Sequence, residues 1–163
     1  VLASSQGTMN NFVYGNDAYQ NYETICGGTG AGFDHHGTDG VHSHMTNTRM
    51  TDPEVLEWRF PLRIEEFSLR KGSGGIGKYV GGDGVKRRIR FCEPVTVTIL
   101  SLHRDTEPYG LAGGEAGEKG TNLVIKADGT ILTLKGNDQI SLLEGDMVEI
   151  RTPGGGGYGE KLC

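Results

Sequence analysis

Polar and apolar residues alternate along most of the chain after residue 60. In LRIEEFSLRK (62–71), Leu62, Ile64, Phe67 and Leu69 mark one side of a strand, with a slip of phase at Glu65-Glu66 that predicts a β-bulge. KRRIRF (86–91) and the β-branched VTVTIL (95–100) predict two more strands. TNLVIKADGTILTL (121–134) reads as two strands around Ala127-Asp128-Gly129, a hairpin signal. ISLLEGDMVEIRT (140–152) adds two, turning at Glu144-Gly145-Asp146. Before residue 50 no period holds: NFVYGN and YETICGG read as brief strands or loop edges. A single helix of one to two turns is predicted near 52–59, ending before Pro61. Thr51 and Glu54 have capping-box spacing and Pro53 suits a first turn, so Asp52 and Glu54 are caps or catalytic acids.

The pattern predicts a mainly β fold, with α+β as the variant. A glycine-rich, irregular N-terminal part with one short helix precedes an antiparallel β sandwich or barrel-like unit. Two regions follow: 1–61, polar and glycine-rich and continuing a larger upstream domain, and 62–163, the β-rich unit. The chain opens on Val1, which suggests a piece of something longer.

Composition narrows the function classes. The net charge is −5 with no basic stripe, which speaks against nucleic acid and anionic membranes as partners. No apolar run approaches a membrane span, and VLASSQGTMNN lacks the build of a signal peptide. Cys26, Cys92 and Cys163 are odd in number and far apart, so neither a zinc knuckle nor a disulfide framework is indicated and a reducing cytoplasm fits. Glycine is the anomaly, at 28 of 163 residues. Such density predicts tight turns with positive φ, backbone close against another surface, or amides lining a ligand site.

The candidate chemistry lies early. His35, His36, His42 and His44 cluster, and a His-x-His pair on a strand would present both rings on one face, about 7 Å apart at Cα. No HExxH or Cys-His spacing supports a metal there, and hydrogen-bonding loop histidines are the alternative. Asn47, Thr48 and Arg49 offer a planar cationic fork beside amide and hydroxyl groups, suited to a carboxylate, a phosphate or a ring amide, or else to stapling a loop. Nucleophile signals are poor, because GxSxG is absent and Cys26 has no argued activation. The glycine clusters match neither the phosphate loop nor the dinucleotide fingerprint.

Taken in order, SQGTMNNFVYGN (5–16), YETICGGTGAG (22–32), VHSHMTNTRMTDPEVLEWRFP (41–61), the glycine clusters of 72–84, PYGLAGGEAGEKGTN (108–122) and TPGGGGYG (152–159) resemble the C-terminal portion of the hydantoinase B/5-oxoprolinase family. The resemblance spans nearly the whole chain. It implies ATP-dependent opening of a cyclic amide, 5-oxoproline or a hydantoin, together with an A-type subunit or domain that binds ATP with Mg. It places any divalent metal in an upstream part and none in this chain, and it implies an oligomeric assembly in which this piece alone is inactive. The matching residues are His44, Asn47, Thr48 and Arg49 in one motif and Gln6, Asn10 and Asn11 in the other. His44, Arg49 and Asn47 are the catalytic candidates; Gln6, Asn10, Asn11 and Thr48 are the substrate-binding ones. The alternatives are a non-catalytic scaffold within the same complex and a subunit of an acetone-type ketone carboxylase. GFDHHGTDG (32–40) departs from the family pattern, so its histidines look local to this protein.

Overall fold

The computed structural model describes residues 1–44 and 47–161; Cys163 and the centre of the HMTNTR motif lie outside them. Two antiparallel sheets face each other. The first has the order β2-β1-β5-β8, from β1 (Asn10–Gly15), β2 (Gln20–Ile25), β5 (Val95–Leu100) and β8 (Asn137–Leu142). The second is β3-β4-β9-β6-β7, from β3 (Leu62–Leu69), β4 (Val85–Phe91), β9 (Met147–Arg151), β6 (Thr121–Ile125) and β7 (Ile131–Leu134). The sheets do not close on each other, so the fold is a sandwich and not a barrel.

Alternation decides which side chains meet between the sheets. Phe12, Tyr14, Val95, Val97 and Ile99 point inward from the first sheet; Ile89, Phe91, Val124, Val148 and Ile150 do so from the second. Tyr14 and Phe91 touch edge to face across the gap, their ring centroids 5.4 Å apart. The expected bulge is present, as the β3–β4 register shifts between Ile64 and Glu66. The hairpin at 127–129 is also present, with Gly129 at φ 88°. β8 and β9 both form, but the turn at 144–146 carries the chain from one sheet to the other instead of pairing them. Helix α1 (Pro53–Arg59) is capped by Asp52, whose carboxylate accepts from the Glu54 amide, and not by Thr51. Asp52 is thereby a cap, and Leu56 anchors α1 in the core.

Glycine has a larger task than turns. Among the described residues, seven glycines have positive φ. Most of the others lie where unladdered segments near 2–6, 27–32, 73–82, 108–118 and 153–159 run against one another. Gly155 is central to this: its N–H donates to the Gly82 carbonyl, and its carbonyl accepts from Gly75. Neighbouring Gly156 donates to Ser4, and Ala31 donates to Gly156. A Cβ on Gly155 would overlap the Thr29 carbonyl, and one on Gly28 would overlap Gly82. Bare backbone packs on bare backbone here, and the polar groups are satisfied between segments instead of in a sheet.

Candidate functional site

Gln6, Asn10, Asn11, Thr48 and Arg49 lie near the start of β1 and the end of β2, whereas no contact among the described residues brings His44 or Asn47 to them. Strand alternation sends the two asparagines of the first motif opposite ways. Asn10 is buried, and Asn11 lies on the outer side. The Asn11 side-chain oxygen accepts from the Tyr22 hydroxyl at 2.7 Å and from the Thr24 hydroxyl at 3.5 Å, and Thr24 also donates to Tyr22 at 3.1 Å. Tyr22 and Thr24 line a cavity of about 150 Å³ whose other walls are Glu23, Thr48, Arg49, Met50 and Thr51. Asn11, Thr48 and Arg49 are therefore brought together through Tyr22 and Thr24. Arg49 is exposed and, among the described residues, has no ion pair, so its fork is free for an anion.

Beneath this surface lies a second polar group. Asn10 Nδ2 donates to Gln6 Oε1 at 2.5 Å and to the Ile25 carbonyl at 3.1 Å. Asn10 Oδ1 accepts from Arg104 at 3.0 Å, while Arg104 Nε donates to Asn122 Oδ1 at 3.0 Å. Gln6 and Asn10 thus face inward, each 2% exposed, with their amides held by the chain itself. Arg104 has no carboxylate partner among the described residues. Burial, and then the nearby Arg70 charge, pulls its pKa down to about 9, which leaves it cationic at neutral pH.

His44 is exposed at φ 58°, and Asn47 is exposed; neither makes a hydrogen bond among the described residues. Residues 42–44 form no strand, so the same-face histidine pair that a strand would give is absent: the positive φ at His44 breaks the alternation it needs. His42 is half-buried, and both its ring nitrogens lack a hydrogen-bond partner among the described residues. Burial lowers its pKa. His36 is a loop residue that accepts the Val80 N–H, and His35 pairs with Asp34. Among the described residues no three of His, Cys, Asp or Glu converge as metal ligands. Cys26 is buried, which pushes its thiol pKa up and disfavours the thiolate.

Tyr22, Thr24, Arg104 and Asn122 went unnoticed in the sequence. Only Tyr22 and Thr24 had a local signal, being outward positions of a strand that pairs with the asparagine motif.

Over residues 1–161 the chain matches the Hydantoinase B/oxoprolinase family. It belongs to that family. Against a 5-oxoprolinase of Dictyostelium discoideum it is 50% identical over 161 residues, covering 99% of this chain and 13% of that one. The chain thus spans about an eighth of that relative's length. Among solved structures, the ATP-dependent caprolactamase from Pseudomonas jessenii superimposes with a TM-score of 0.77 at 23% identity, over 98% of this chain and 30% of that one. Nucleotide-free acetone carboxylase gives 0.75 at 18%, over 96% and 26% respectively. At such identities both likenesses speak of fold alone. The hydantoinase B sandwich described above is shared by these two structures along nearly its whole length. Among the described residues, no helix is long and apolar enough to cross a membrane.

Proposed function

We propose that this chain is the C-terminal part of an ATP-dependent cyclic-amide hydrolase of the B type, opening 5-oxoproline or a hydantoin together with an A-type subunit or domain. The observation that carries this reading is the 50% identity to a 5-oxoprolinase along essentially the entire chain. The cavity between Tyr22, Thr24, Thr48 and Arg49 supports a site for that chemistry. Arg49 holds the anionic end of the substrate or its phosphorylated form, and Asn11 and Asn47 hydrogen-bond the ring amide. Thr48 lines the same wall, and His44 polarises or protonates the reacting group. Gln6 and Asn10 act from behind, fixing the start of β1 so that Asn11 faces the ring. The A-type partner supplies ATP with Mg.

Arg49→Ala and His44→Ala, made in the intact protein with its A-type partner, are expected to lower kcat/KM for ring opening by about 100-fold. Wild-type values for both variants would end this assignment of the site. If size-exclusion chromatography shows lost assembly before lost turnover, the motif serves as a scaffold instead. A second reading is carboxylation of a ketone, the activity named for acetone carboxylase, which shares this fold. Bicarbonate-dependent ATP use with ketones, in place of ring opening, would select it.

A further inference from the structure

The free edge of the first sheet carries a short chain of hydroxyls beside the cavity. Register sets Thr24 opposite Asn11 and Tyr22 opposite Val13, so Tyr22 and Thr24, two residues apart on β2, share the outer face with Asn11. Tyr22 reaches Asn11 along the diagonal. Thr24 is buried, whereas Tyr22 is 56% exposed.

The hydrogen bonds of this group favour one arrangement of protons, because each hydroxyl has a single hydrogen to give. Thr24 directs its hydrogen chiefly to the Tyr22 oxygen, at 3.1 Å against 3.5 Å to Asn11 Oδ1. The Tyr22 hydrogen then goes to Asn11 Oδ1 at 2.7 Å. A hydroxyl that already receives a hydrogen bond donates a stronger one. The acceptor end of the Asn11 amide is thereby occupied and the amide is fixed in orientation. Its other end, Nδ2 with two N–H groups, has no hydrogen-bond partner among the described residues. The backbone beneath is held as firmly, since the preceding Asn10 is tied to Gln6, the Ile25 carbonyl and Arg104. A bond as exposed as that from Tyr22 contributes little to stability. Its consequence is the placement of a donor.

We propose that Tyr22 is a positioning residue for ring opening, whose hydroxyl locks Asn11 so that Nδ2 donates to the oxygen of the ring amide and not to its N–H side; this rests on the cyclic-amide reading above. That oxygen gains negative charge as its carbon is attacked. A donor fixed in advance therefore stabilises the transition state more than the bound substrate. An amide free to turn would also present its own oxygen, which repels the same charge. Arg49, in the wall that Tyr22 and Thr24 complete, takes the anionic end of the substrate independently.

The test is a double-mutant cycle on the intact protein with its A-type partner. Asn11→Ala is expected to lower kcat for ring opening by about 100-fold. Tyr22→Phe removes only the hydroxyl and should lower kcat by about 10-fold with KM nearly unchanged, as a loosened donor would. Because Tyr22 acts through Asn11, adding Tyr22→Phe to Asn11→Ala should lower kcat no further. The urea midpoint of Tyr22→Phe should match the wild type, which separates positioning from a structural role. Should Asn11→Ala not fold, Asn11→Asp takes its place in the cycle, because it keeps an acceptor for Tyr22 and lacks the N–H groups. Additive losses overturn the proposal, as does a Tyr22→Phe protein whose KM rises while kcat holds, or whose urea midpoint falls along with its turnover. A wild-type protein that opens no ring with ATP overturns the cyclic-amide reading and this inference together, whereas active wild type with an indifferent Tyr22→Phe overturns this inference alone.

Discussion

At the scale of single residues, the sandwich is crossed by a buried ion pair. Arg87 of β4 and Glu23 of β2 are 1% and 7% exposed, joined by two hydrogen bonds of 3.0 and 2.9 Å. Tyr14 adds a weak bond to the same carboxylate, and burial together with the Glu23 charge pushes its phenol pKa up. Such a pair contributes little over an apolar replacement, but removing one member strands the other. Glu23→Ala is therefore expected to cost about 3–5 kcal/mol, and the double change Glu23→Leu with Arg87→Met to recover most of it. Urea unfolding of both variants measures the difference; equal losses would mean that Arg87 finds another partner. The pair was not legible in the sequence, since KRRIRF shows four cations on a strand but not the carboxylate that the inward one meets. Asn10 and Asn11 teach the same lesson. Reading them as equivalent substrate-binding candidates is natural in NNF, and only the register of β1 separates a buried strut from an outward acceptor.

At the scale of elements, hydrophobic period and turn chemistry carried far. The β3 bulge, the β6–β7 hairpin and the short helix were all legible, because each is written in local residues. The pairing of β8 and β9 with different sheets was not, because a turn of Glu-Gly-Asp does not say which partner waits beyond it. Glycine clusters were legible as an anomaly but not in their mutual packing, which joins segments far apart in sequence. Two substitutions separate the two uses of glycine. Gly72 has φ 84° and open space where a Cβ would stand, so Gly72→Ala meets only the conformational cost, about 1–2 kcal/mol. Gly155→Ala also forces a methyl into the Thr29 carbonyl at the centre of the glycine-packed region, and is expected to cost more than about 4 kcal/mol. Urea midpoints compare them directly. A mild Gly155→Ala would show that these segments can move apart and that their close approach does not set stability.

For the whole molecule, the carboxylates that tie its parts together set its response to acid. Glu149, in the middle of the second sheet, is 1% exposed and is held by Arg88 and Arg151. Burial opposes its charge, yet the hydrogen bonds from the two guanidiniums prevail and lower its pKa. Asp146, on the turn between the sheets, is likewise opposed by burial and lowered by Lys126 and by the amides of Leu143 and Ala127. A carboxyl with a depressed folded-state pKa is protonated first in the unfolded chain, so acid drains stability from the native state. The contribution of these groups is complete above the ordinary carboxylate range of about 4 to 4.5 and is lost as pH falls through their lower folded values. The urea midpoint is thus expected to be level from neutral pH down to about 5, and to drop below about 4. Glu149→Gln should lower the plateau, because Arg151 loses its counter-charge and Arg88 keeps only Glu66 at 3.8 Å, and should also make the acid decline shallower. A lowered plateau with an unchanged decline would place the acid sensitivity on other carboxyls, whereas loss of both assigns it to the strand that joins the two halves of the second sheet.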